Sequence, residues 1–278
     1  APEVRPGVVL VKFKRGTAPA KEREVKQREQ VEEIERVEGL DIRVMSVHHG
    51  REFEKSDLLR KDPSVLYAEP DYIAHAVVGP PNDPGYSQQW GVLPDKMNVT
   101  GAWDYTYGQG VTVAIVDTGV QLNHPDLQAN IVAGYDFANN DADPTDDHSL
   151  SHGTHVAGTV AAVANNGIGG VGIAPRAKIM PVKVLDAQGS GYDSDVIAGI
   201  QYAADNGAKV VNLSLGQTSP SAALEDVVNY AVGRGVAVVA AAGNGNTSVL
   251  FYPAAYVNAV AVGATTSTDA RASFSNYG

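Results

Sequence analysis

Two kinds of hydrophobic patterning meet in this chain. In the longer, C-terminal part, five runs are almost continuously apolar: "VTVAIVDTG" (111–119), "AKIMPVKVL" (177–185), "AKVVNLSLG" (208–216), "VAVVAAAGN" (236–244) and "NAVAVGAT" (258–265). Strands of a parallel sheet read this way because helices cover both faces. Between them, "THVAGTVAAVA" (154–164), "DSDVIAGIQYAADNG" (193–207) and "SAALEDVVNYAVGRG" (221–235) are helix-like, the last two closing on Gly207 and on Gly233 and Gly235. Glycine ends helices readily because it accepts the left-handed conformation. The alternation predicts an α/β domain with a doubly wound, mostly parallel sheet. Ligands of such domains sit beyond the carboxyl ends of the strands.

The N-terminal part has a different texture, dense in charge. "GVVLVKFKRG" (7–16) reads as a strand, and residues 17–39 as one helix with Thr17 as its cap, Pro19 in its first turn and Gly39 past its end. Val25, Val31, Ile34 and Val37 give that helix a narrow apolar stripe. "DIRVMSVH" reads as a strand, "EKSDLLRKD" as a short helix and "SVLYAEPDYIAHAV" as a strand with an extended tail. The order predicts a small ferredoxin-like α+β domain. Three prolines and two glycines within residues 79–85 mark the passage to the second domain. The expected domains are 1–77 and 78–278.

Composition narrows the chemistry. The chain has 278 residues and no cysteine, which removes disulfides, thiolate metal sites and a cysteine nucleophile. No apolar run approaches the roughly 18–20 residues of a membrane span. Of the net charge of −11, residues 1–77 supply −1 and the rest −10. An acidic surface argues against nucleic acid, which needs basic patches. Aspartates clustered in loops are what calcium prefers, although solubility alone explains many of them.

Several polar residues fall at the predicted strand ends. Asp117 closes one apolar run, Asn212, Ser214 and Gly216 lie at the end of another, and Gly243-Asn244 closes a third. His152, within "DDHSLSHGTHVAG" (146–158), stands where a helix is about to start. Singly, each of these is an ordinary turn or cap. Together they bring a carboxylate and an imidazole to one edge of a sheet, the orienter-and-base arrangement of nucleophilic catalysis.

"AIVDTGVQLNHPDL", "SHGTHVAGTVAA", "NLSLG" and "AAAGNGN" resemble the successive sequence blocks of the subtilisin-like serine proteases, the subtilases, and the calcium-rich thermitase branch in particular. The resemblance runs from about residue 80 to the last residue, and residues 1–77 are similar to the inhibitory propeptide of the same proteins. It implies Asp117 as the acid, His152 as the general base and Asn244 as the side-chain donor of the oxyanion hole. Gly189, Ser190 and Gly191, with Ser214, Leu215 and Gly216, would be the two backbone edges that clamp an extended peptide substrate. His155 is expected as a packed core residue and His148 as loop. The small walls at Ala241, Ala242 and Gly243 would admit a large apolar or aromatic side chain.

The family's third block, a "GTSMA"-like turn carrying the serine, is expected after "FSNYG" and is not found; Ser190, Ser214 and Ser221 lack its context. The expectation is therefore a chain without its nucleophile, inactive alone, whose serine sits on a separate C-terminal segment. The resemblance further implies self-cleavage at Val77–Val78, with Ala74 to Val77 lying in the cleft, and a secreted protein whose signal peptide is not in this chain. It implies a calcium site formed by the Asp83 and Asp126 carboxylates, the Asn166 side chain and the carbonyls of Val163, Ile168 and Gly170. A second, weaker site falls on Asp136, Asp141 and Asp143, with a solvated acidic loop as its alternative. Two other readings stay open: a propeptide-bearing inhibitor or chaperone without catalysis, and a metal-dependent hydrolase using His148, His152, His155 and Asp117.

Overall fold

Residues 3–73 and 80–278 are described by a computed structural model, in two units, Ala1–Val78 and Gly79–Gly278. In the first unit, strands β1 (Val4–Phe13), β2 (Glu32–Val37), β3 (Ile42–Ser46) and β4 (Val65–Tyr72) form an antiparallel sheet in the order β2-β3-β1-β4. Helices α1 (Pro19–Glu29) and α2 (Glu52–Arg60) complete the ferredoxin-like arrangement. Val9, Val11, Val25, Met45 and Leu59 make its core.

The single helix expected over 17–39 is two elements. Gln30 turns left-handed and ends α1, and residues 32–37 pair with β3 instead. Val25 and Val31 are buried, but Ile34 and Val37 are exposed, so the apolar stripe is not one helix face. Charge holds the strand: Glu33 takes Lys26 at 2.5 Å and Arg36 at 2.9 Å, and the buried Arg43 of β3 reaches Glu33, Glu22 and Asp41. Thr17 does not cap α1; its hydroxyl donates to the Lys14 carbonyl, and Ala18 occupies the cap position. Asp62 accepts from the Ser64 amide and hydroxyl and from Arg28, which holds its carboxyl far below the usual range.

The second unit is a six-stranded parallel sheet. Its strands are β5 (Thr112–Asp117), β6 (Tyr135–Asp136), β7 (Lys178–Lys183), β8 (Val210–Leu213), β9 (Ala237–Ala241) and β10 (Val260–Val262), in the order β10-β9-β8-β5-β7-β6. After the short α3 (Val99–Ala102), the chain enters at β5, builds β6 and β7 to one side, then returns to build β8, β9 and β10 on the other. That reversal opens a crevice at the carboxyl end of β5. Helix α4 (His152–Ala161) covers one face, where Val113 and Ile115 pack with Ala157 and Ala161. Helices α5 (Asp193–Asp205) and α6 (Ala222–Gly233) cover the other, where Ala114 and Val116 pack with Ile200 and Val228. Successive residues of β5 are thus buried on opposite faces, which is why its sequence is apolar throughout.

Candidate active site

Asp117 ends β5 with no exposed surface. A carboxylate buried this far is tolerated only when hydrogen bonded. Its Oδ1 accepts from the Thr118 amide at 2.7 Å and from His152 Nδ1 at 2.6 Å. The bond places the neutral imidazole's proton on Nδ1 and leaves Nε2 as its basic atom. Among the described residues nothing hydrogen bonds to Nε2, and the His152 side chain is 45% exposed toward a cleft. Beside Asp117, the buried Lys183 ammonium donates to the Thr118 and Leu185 carbonyls and to Asp147. It ties the loop that precedes His152 to the strand end.

Local backbone geometry sets the position of His152. Ser151 precedes it in a left-handed conformation (φ 47°) and offers no side-chain cap to α4. The cap comes from Asp146, which the sequence reading passed over: Oδ2 accepts the Thr154 amide and hydroxyl, and Oδ1 accepts the Thr118 hydroxyl and the His148 amide. The Thr118 hydroxyl in turn accepts the Gly153 amide at 2.9 Å. Strand end and helix start are thereby sewn together. Gly153 makes the approach feasible, because a Cβ there would lie 2.2 Å from the Gly119 carbonyl oxygen and 3.2 Å from Asp117 Cβ.

The cleft, of about 610 Å³, is lined by His152 and Asn244, by Gly189–Gly191 on one side and by Ser214–Gly216 on the other. The turn carrying Asn244 is held by Asn276, which donates to the Ala242 carbonyl and accepts from the Gly245 amide. Of the two neighbouring histidines, one is where it was expected and one is not. His148 is in a loop but lines the cleft, its ring 6.4 Å from that of His152 and edge-on to it. His155 is exposed rather than packed, since its position on α4 faces away from the sheet.

A second cluster joins three of the expected calcium ligands. Asp83 and Asp126 are both buried. Asp83 accepts from the Asn165 and Asn166 amides, and the Asn166 side chain donates to Asp126 Oδ1 at 2.7 Å. Burial pushes the Asp126 carboxyl above its ordinary range, and the nearby charge of Asp83 adds to the rise. Of the expected carbonyl donors, Val163 and Ile168 lie in the same loop, joined through their amides to the Asp126 carbonyl and to Asn166 Oδ1, and Gly170 bonds through its amide to Asp126. Asp136, Asp141 and Asp143 instead use their carboxylates in local turns, accepting from Asn139, Asp143 and Thr145. Among the described residues no group of three or more His, Cys, Asp or Glu forms a metal cluster. Val77 and Val78 lie outside the described residues.

A buried carboxylate that orients an imidazole at the edge of a peptide-sized cleft defines the acid–base half of a hydrolase working through a nucleophile. The comparisons agree. The chain belongs to the subtilase family, whose model matches residues 108–278. A model of the fervidolysin N-terminal prodomain matches residues 2–71. Thermitase of Thermoactinomyces vulgaris is 51% identical over 199 residues, covering 71% of this chain and 70% of that protein. The thermophilic serine proteinase of Bacillus sp. (strain AK1) is 49% identical over 221 residues, 79% of this chain; the chain spans about half, 54%, of that relative. A solved protease structure from Pseudoalteromonas arctica superposes with a TM-score of 0.68 at 38% identity, over 72% of this chain and 70% of that one.

These findings correct the expectation of a chain that lacks its nucleophile. The family match runs through residue 278 and takes in Ser275, a serine 1% exposed that the sequence reading did not weigh, while Asp117 and His152 are already paired. The same finding overturns the inactive, serine-less chain and the separate serine-bearing segment. Ser275 gives no signal in the sequence because its turn, "FSNYG", is unlike a "GTSMA" block. Its Oγ accepts the Ala264 amide at 2.9 Å and donates to the Asn276 carbonyl at 3.0 Å.

Proposed function

We propose that this protein is a secreted, calcium-stabilised serine endopeptidase in proprotein form. The observation that carries the reading is the 2.6 Å bond from His152 Nδ1 to the buried Asp117, with no described residue hydrogen bonded to Nε2 at the cleft. His152 Nε2 takes the proton of a serine hydroxyl as its oxygen attacks the peptide carbonyl, and returns it to the leaving amine. Asp117 holds the tautomer and stabilises the imidazolium formed on the way. The Asn244 side chain donates to the developing oxyanion, and the backbone of Gly189–Gly191 and Ser214–Gly216 holds the peptide as added strands. Residues 1–77 act as the propeptide, cut at Val77–Val78.

Ser275 is the candidate nucleophile. To attack, its hydroxyl would have to release the Asn276 carbonyl and come into the cleft, whose lining does not include it. A fluorophosphonate probe tests this directly: the activated serine oxygen displaces fluoride from phosphorus, and its proton passes to His152. The expected result is one labelled serine in the full chain, mapped by peptide mass, with labelling abolished in His152→Ala. An adduct on Ser275 assigns it, and an adduct on another serine reassigns the role. No labelling of any serine overturns the reading.

The buried Asp83–Asp126 pair fits a calcium ion. Two carboxylates pressed together away from water repel unless a cation or a proton intervenes, and the oxygen-rich loop 163–170 supplies neutral donors of the kind calcium takes. Asp83, Asp126 and Asn166 would hold it with carbonyls of Val163, Ile168 and Gly170; Asp136, Asp141 and Asp143 would be a weaker second site. Calcium titrated into chelator-treated full chain is expected to raise thermal stability, by about 2.7 kcal/mol at a hundredfold excess over Kd. Asp126→Asn should weaken the tighter calorimetric binding at least tenfold. Equal binding by the variant would remove the site from Asp126.

A further inference from the structure

The space between Gly216 and Gly243 is not open. Gly216 ends one edge and Gly243 precedes the oxyanion donor, and the ring of Phe251 lies against both. A methyl group placed on Gly216 would meet Phe251 Cε1 at 2.5 Å, and one placed on Gly243 would meet Phe251 Cδ1 and Cγ at 3.1 Å. Phe251 is half-buried and lines the same cleft as His152 and Asn244. Its backbone is anchored: Gln217 and Tyr252 exchange amide–carbonyl bonds of 2.8 and 2.7 Å, and the Phe251 carbonyl accepts from the Ala255 amide. The ring therefore cannot leave by a simple shift of the chain.

Position within the cleft gives this ring its meaning. A peptide paired with the Ser214–Gly216 edge, its scissile carbonyl aimed at Asn244, must send the adjacent side chain between Gly216 and Gly243. That slot looked roomy from the small residues Ala241, Ala242 and Gly243, but those walls describe only one side of it. We infer that Phe251 sets the substrate preference of this cleft, acting as a wedge that leaves room for a small side chain before the scissile bond and excludes aromatic and large aliphatic ones. The inference rests on the peptide-cleaving reading above and names its substrate class.

Binding tests it without requiring turnover. Two acetylated tetrapeptide acids, identical except for a final alanine or phenylalanine, are titrated calorimetrically into the full chain and into its Phe251→Ala and Phe251→Leu variants. The parent chain should bind the alanine-ended peptide at least tenfold more tightly. Phe251→Ala should reverse the order, with a gain for the phenylalanine-ended peptide on the order of 10–100-fold, the value of burying one such ring. Phe251→Leu should fall between, and guards against a variant that fails to fold. Equal or tighter binding of the phenylalanine-ended peptide by the parent chain would overturn the wedge while leaving the cleft a peptide site. Binding of neither peptide by any folded form would overturn the peptide-cleaving reading, and the wedge with it.

Discussion

His152→Ala in the full chain is expected to lower kcat on a peptide substrate by on the order of 10⁶-fold, the size of the loss known for the base of subtilisin, from which the magnitude is taken. Nothing else among the described residues can stand in. His148 is nearest, but its ring lies edge-on at 6.4 Å and its Nδ1 accepts the Leu150 amide at 3.3 Å, with no carboxylate to orient it. His155 is exposed on α4 and does not line the cleft. KM should change less than about threefold, because the clamp edges at Gly189–Gly191 and Ser214–Gly216 are untouched and binding made equally in ground and transition states appears in KM. A kcat within tenfold of the parent, measured on folded protein, would mean that His152 is not the base.

Asp117→Asn should cost on the order of 10⁴-fold in kcat, again a magnitude borrowed from subtilisin and its analogues. Oδ1 of Asp117 serves two N–H donors at once, Thr118 and His152. An asparagine that keeps its oxygen there preserves the geometry but removes the charge that stabilises imidazolium. Turned the other way, its amide donates to Nδ1, which then carries no proton; the proton sits on Nε2 and the ring cannot accept another. Both outcomes slow the reaction. Because the two residues act as one unit, the double variant should be no slower than His152→Ala alone. Additive losses in the double variant would show that Asp117 acts apart from His152.

Much of this site could be read in the chain because its backbone framework is written in local pattern. Apolar runs marked β5, β7, β8 and β9, and the polar ends of three of them named site residues: Asp117, Ser214–Gly216 and Asn244. Features made by long-range partners were harder. β2 looked like the end of a helix because Val25, Val31, Ile34 and Val37 share helical spacing; pairing with β3 and the charge cluster at Arg43 override it. The cap of α4 was hidden because Ser151, next to His152, is the residue type a cap should have, whereas Asp146 reaches the helix only after the intervening loop folds back. Phe251 gave no signal at all. Its importance comes from two glycines that are 35 and 8 positions away in sequence and become its neighbours only in the folded cleft.

The backbone constraints around His152 divide the cleft into positions that can drift and positions that cannot. Ser151 is left-handed, which a β-branched replacement resists, and Gly153 has no room for a single added carbon. Neither touches a substrate, yet each fixes where the imidazole stands. Residues such as Phe251 and His148 contribute side chains to the opening and hold up little else. A lineage adapting this scaffold to new peptides would therefore record its history in the residues facing the substrate. The tripeptide Ser151-His152-Gly153 would pass through unchanged, preserved for its shape rather than its reactivity at two positions out of three.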